Sequence, residues 1–204
     1  GAAPPASAPA GAGVGGGSNE PPQLSEAEGR LLLDLARKTL TALLKGQDLP
    51  RPDPAELPTR LRAERGCFVT LTKGGRLRGC IGHIFPTEPL YQAVVSNTVS
   101  AALRDRRFPP VRAEELEEIA IEVSVLTVPA PPRRVRPEQV LAQLRPGVDG
   151  VVLRAGGQQS TYLPQVWQQI PDKEQFLGQL SLKAGLPADA WRQPDATVLL
   201  YQAQ

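Results

Sequence analysis

The chain has 204 residues, 41% of them hydrophobic and 22% charged, enough to bury one sizeable core. Its 23 basic and 21 acidic residues leave a formal charge of +2, too small for a field that gathers nucleic acid or anionic lipid over the whole surface. No apolar run is long enough to cross a bilayer, since Ile119 to Val128 is interrupted by Glu122.

Residues 1–22 are mostly Gly, Ala, Pro and Ser. Such a segment cannot bury enough surface to offset the entropy of ordering, so it is expected to be a disordered tail, and it lacks the pattern of a secretory signal. Residues 23–204 are expected to form the folded domain. Cys67 and Cys80 sit in different settings and suggest no disulfide framework; a reducing, cytoplasmic compartment is the expectation.

Ser25 and Glu28 form a capping-box pattern ahead of Leu31, Leu32, Leu35, Leu43 and Leu44, which predicts an amphipathic helix ending near Gly46. Four prolines between Pro50 and Pro58 predict an extended connector. Strand formers from Cys67 to Thr72, the turn Lys73-Gly74-Gly75 and the run Arg76 to Phe85 predict a hairpin. Pro89 opens a helix that stops before Pro109, and Ile119 to Val128 is read as a long strand. A short helix near Glu138, a second hairpin turning at Gly156-Gly157, a helix after Asp172 and a strand from Thr197 to Tyr201 complete the order. Hairpins mixed with helices predict an α+β fold, a largely antiparallel sheet flanked by helices with a smaller second lobe.

The most distinctive segment is Leu77-Arg78-Gly79-Cys80-Ile81-Gly82-His83, with a thiol between two glycines on a strand. Glycine weakens a strand, and two reasons for it compete: close approach of another segment, or backbone N–H groups left open for an oxygen ligand. Cys80 is a candidate nucleophile, Arg78 a group that stabilises a thiolate, and His83 a candidate base. Strand alternation turns His83 to the opposite face unless a bulge re-aims it. The competing reading makes Cys80 an inert packing group. Asp105 and Arg107, in Asp105-Arg106-Arg107-Phe108-Pro109-Pro110, are read either as a helix stop with a structural ion pair or as an anion site beside Cys80. Glu122, a carboxylate within an apolar strand, is a candidate acid or base when half-buried, or lies on a solvated face.

With one histidine in the chain and no finger or ribbon spacing, no metal site is expected, and nothing implies a cofactor. Arg104 to Arg107 and Arg133 to Arg136 would serve nucleic acid only if they shared a face, and the Arg133 to Arg136 run lacks interleaved aromatics, so that partner is not expected.

Taken together, Gly66-Cys67-Phe68-Val69-Thr70-Leu71, the Leu77–Gly82 hexapeptide, Ala102 to Pro110, Glu122 to Thr127, Asp149-Gly150, Leu163 to Val166 and Lys183 to Pro187 resemble the AMMECR-type domain family. Its bacterial form is protein A of the AmmeMemoRadiSam system. The resemblance spans roughly Leu24 to Tyr201 and implies an antiparallel sheet with helices, a smaller lobe and a cleft holding the hexapeptide. Arg78, Gly79, Cys80, Gly82, Asp105 and Arg107 match the family's motif positions. Genomic association within the family implies Memo-type and radical SAM proteins as partners in a modification pathway, acting on an unidentified small molecule or macromolecule. The function expected is therefore a cysteine-based enzyme or enzyme subunit, with a non-catalytic interaction domain as the alternative.

Overall fold

A computed structural model describes residues 24–132 and 136–204. The tail expected at 1–22, and Arg133, Arg134 and Val135 of the second arginine cluster, lie outside the described residues. Helix α1, Glu26–Leu44, starts where the sequence places it: the Ser25 hydroxyl accepts from the Glu28 N–H, and the Glu28 carboxylate accepts from the Ser25 N–H at 2.8 Å. After the proline connector, a short α2 at Thr59–Arg62 leads into β1, Cys67–Lys73, and β2, Arg76–His83. The turn between them has Gly74 and Gly75 at φ of 56° and 74°, the paired positive φ that a two-residue hairpin needs. Helix α3, Leu90–Leu103, follows Pro89, and β3, Ile119–Val125, follows a 3-10 helix at Ala113–Glu118.

The expected α+β class holds, and the strands divide into two antiparallel sheets. The first has the order β2-β1-β3, so β1 is central and β2 and β3 are edges. Helices α1 and α3 cover one face. Leu32, Ala36 and Leu40 from α1 and Ala93, Val94 and Ala101 from α3 meet Cys67, Val69 and Leu71, all of them buried.

The second sheet has the order β5-β4-β6, built from β4, Gly150–Ala155, β5, Gln158–Tyr162, and β6, Thr197–Tyr201. Its core lies against α5, Lys173–Lys183, and α4, Pro137–Gln143, with Trp167 stacked on Phe176 at 3.6 Å between ring centroids. A third buried cluster joins the two sheets: Ile84 and Leu126 from the first lobe against Val152, Leu199 and Tyr201 from the second, with Phe68 at its margin. The backbone after β6 completes the junction. Thr127 N–H donates to the Gln202 carbonyl, and Val125 and Gln204 exchange both N–H···O bonds at 2.9 and 3.0 Å. Among the described residues no helix is long and apolar enough to cross a membrane.

Candidate functional site

Alternation of hydrogen bonding along an edge strand leaves every second residue with its N–H and C=O facing outward. On β2, Cys80 is such a residue, and the loop after α3 covers its outer side. The Asp105 carboxylate accepts the Cys80 N–H at 2.9 Å, and Arg107 Nη2 donates to the Cys80 carbonyl at 3.4 Å. Asp105 and Arg107 thus occupy the place of a neighbouring strand. Asp105 also accepts from Arg107 Nε at 2.9 Å, Nη2 at 2.7 Å and its backbone N–H at 3.1 Å. These charge-assisted bonds, the Arg107 side chain first, hold the buried carboxyl far below the usual carboxylate range although burial opposes them.

Arg78 is committed in the same way. It lies where the β1–β2 register shifts, between the Thr72–Leu77 and Leu71–Gly79 pairs. Its guanidinium grips Glu115 through Nε at 3.0 Å and Nη2 at 2.9 Å, and donates to the carbonyls of Pro109 at 2.8 Å and Pro110 at 3.3 Å. Glu115 is pulled down to about 2, chiefly by Arg78. Sequence reasoning missed Glu115, which stands in a separate 3-10 helix with no local pattern that marks it. The structure therefore makes Arg78 a tie between β2, Glu115 and the Pro109-Pro110 segment that follows Asp105.

Close approach explains both glycines. A Cβ on Gly79 would collide with the Ala101 carbonyl of α3, and one on Gly82 with the Cys67 carbonyl and the Phe68 side chain. The open-donor reading is left only at Gly82: its N–H faces outward by the same alternation as Cys80 and has no hydrogen-bond partner among the described residues, whereas the Cys80 N–H is spent on Asp105.

Cys80 itself is half-buried on the face of the first sheet that α1 and α3 do not cover. There it pairs across the strand with Thr70, whose Oγ1 lies 3.2 Å from Sγ, and Thr70 pairs on its other side with Glu122. Cross-strand neighbours of this kind have Cβ atoms about 5 Å apart. One row on one face therefore carries Cys80, Thr70 and Glu122. The structure brings together two residues singled out in the sequence and adds Thr70, which was not. Glu122 is exposed, with the Ser124 hydroxyl donating to it at 3.3 Å, so the half-buried setting considered for it does not occur.

His83 is not brought to Cys80. The bulge falls at Arg78 and leaves His83 opposite Cys67, on the helix side. Its Nδ1 is 3.3 Å from Asn97 Nδ2, which also donates to the Cys67 carbonyl at 3.1 Å and lies 3.3 Å from its sulfur. Cys67 is fully buried, and burial pushes its thiol up to about 11, so it is inert. Because Cys80 lies across the sheet from Cys67 and His83, these three cannot converge on one ion. Among the described residues no other His, Cys, Asp and Glu side chains do so.

The chain is thus an antiparallel α+β domain whose edge strand carries Arg78-Gly79-Cys80-Ile81-Gly82, held at Cys80 by Asp105 and Arg107. The AMMECR1 family model matches residues 33–204, and the chain belongs to that family. It is 44% identical over 187 residues to a protein of Methanothermobacter thermautotrophicus, covering 89% of this chain and 94% of that one. A protein of Methanosarcina acetivorans is also 44% identical, over 191 residues, covering 89% and 92%. Among solved structures, the crystal structure of the uncharacterized protein PH0010 from Pyrococcus horikoshii is similar with a TM-score of 0.78 at 35% identity, covering 88% of this chain and 91% of that one.

Proposed function

We propose that the open face of the first sheet handles an anionic, electrophilic ligand through Cys80, as an enzyme or enzyme subunit. The observation that carries this reading is the row Cys80, Thr70, Glu122 on a polar face, bounded by Arg107. Arg107 is held by Asp105 through Nε and Nη2, while its side chain is 57% exposed and its Nη1 has no partner among the described residues. It is placed to orient an anionic group. In the reaction, Sγ forms a bond to an electrophilic carbon, and the leaving group departs with the bonding electrons. The thiol proton passes toward Thr70 and Glu122. Arg78, Gly79 and Asp105 fix the strand that presents the thiol, and the Gly82 N–H is a donor open to a developing oxyanion. His83 has no part in this chemistry. The family's genomic association supports action with Memo-type and radical SAM proteins in a modification pathway.

Paired alkylation rates test the reading. Cys80 should react with iodoacetate faster, relative to neutral iodoacetamide, than a free thiol does, and Arg107→Gln should remove that preference while leaving the iodoacetamide rate similar. Equal preference in both proteins would refute the anion-orienting role. The complete commitment of Arg78 and Asp105 within the chain favours a second reading, a domain whose motif is structural and whose role is to bind a partner. In that case Cys80→Ala would leave the cellular phenotype and the interaction with a Memo-type or radical SAM protein intact.

A further inference from the structure

The other edge of the first sheet is open where β3 passes α1. Outward backbone groups on β3 belong to Ile119, Ile121, Val123 and Val125, because Val125 turns both its N–H and its C=O to Gln204 and the alternation follows from there. Val125 is therefore filled by Gln204, and the Ile119 carbonyl is filled by Arg37 Nη2 at 2.5 Å. The N–H and C=O of Ile121 and Val123, two consecutive rungs between those stops, have no partner among the described residues. A groove of about 520 Å³ runs beside them, with Gly29, Arg30 and Leu33 of α1 in its far wall. Nothing lies within 4 Å of a Cβ built on Gly29, and Leu33 is 41% exposed.

We propose that this edge receives an extended segment of a partner polypeptide, added antiparallel to β3 in continuation of the Thr127–Gln202 and Val125–Gln204 ladder. The register fixes its chemistry. Residues opposite Ile121 and Val123 turn their side chains to the helix side, toward Leu33 and the space over Gly29, and are apolar. The residue between them lies opposite Glu122 on the other face and is basic, since a like charge directly opposite destabilises a strand pair. The same argument excludes a second copy of this chain. A two-fold pairing that fills both free rungs matches Ile121 with Val123 of the copy and sets Glu122 against its own equivalent. This inference stands on the sheet edge alone and does not depend on what Cys80 does.

The test uses the full chain, 15N-labelled, and the peptide Thr-Val-Lys-Val-Thr with blocked ends. Two control peptides carry Glu in place of Lys, or N-methyl groups on both Val nitrogens. Expected are saturable shifts and slowed hydrogen exchange at the Ile121 and Val123 amides with the Lys peptide, about five- to tenfold weaker binding of the Glu peptide, and none of the N-methylated one. Glu122→Lys should reverse the charge preference. Absence of shifts at these two amides, binding indifferent to the charge exchange, or concentration-dependent shifts without peptide, which would mean self-association, would each overturn the proposal.

Discussion

Asp105 shows how much of this site is frame. It is 6% exposed and accepts bonds from the Cys80 N–H and from three groups of Arg107. Asp105→Ala leaves a strand N–H unpaired and should cost about 2–3 kcal/mol in urea unfolding at neutral pH. Glu115 offers a cleaner pH test. Its carboxyl is lowered from 4.5 to about 2, so its contribution to stability is fully present above pH 4.5 and is lost as pH falls toward 2. Glu115→Gln should accordingly be less stable than the native chain at pH 7, with the difference narrowing toward zero near pH 2. A constant difference across that range would mean that the Arg78–Glu115 pair contributes nothing as an ion pair. The Arg78–Glu115 pair was not legible in the sequence, whereas the placing of Asp105 and Arg107 beside Cys80 was one of two readings left open there. Arg78 and Asp105 stood out as residues, but Glu115 is 37 positions from Arg78 and Cys80 is 25 from Asp105, and local patterns do not report contacts at such separations.

The elements themselves were largely legible, because each is announced by local chemistry: the Ser25–Glu28 box, the two glycine-pair turns, Pro89 ahead of α3. Which faces they present was less so. Alternation along β2 correctly separated Cys80 from His83, but the bulge at Arg78 and the division of the strands between two sheets depend on packing. Gly79 of β2 belongs to this scale, since it records how closely α3 lies on the strand. Gly79→Ala should shift α3 or unfold the domain, costing about 3 kcal/mol or more, because the obstructing atom is backbone and cannot rotate away. Ser in place of Gly79 should be no better tolerated. Thermal melts of both variants against native protein check this, and a native melting point in either would remove the close-approach account of the motif.

At the scale of the whole molecule, the two sheets share a buried cluster and the Val125–Gln204 ladder, so they should unfold together. Leu126, fully buried where the sheets meet, is the direct probe: Leu126→Ala should cost about 2–5 kcal/mol and lower both near-UV and far-UV transitions equally. Separate transitions would mean that the lobes are independent. That junction lies beside the polar face where the proposed chemistry takes place, with Phe68 at the margin of the cluster and Thr70 and Cys80 one step further along the sheet. The sheet offers one thiol, Cys80, outward and seals the other, Cys67. Mass-spectrometric alkylation of the folded protein, with Cys67→Ser and Cys80→Ser as references, tests it most directly. Labelling of Cys80 in the native state, with Cys67 modified only on unfolding, is the predicted result; protection of Cys80 until the protein unfolds would contradict it.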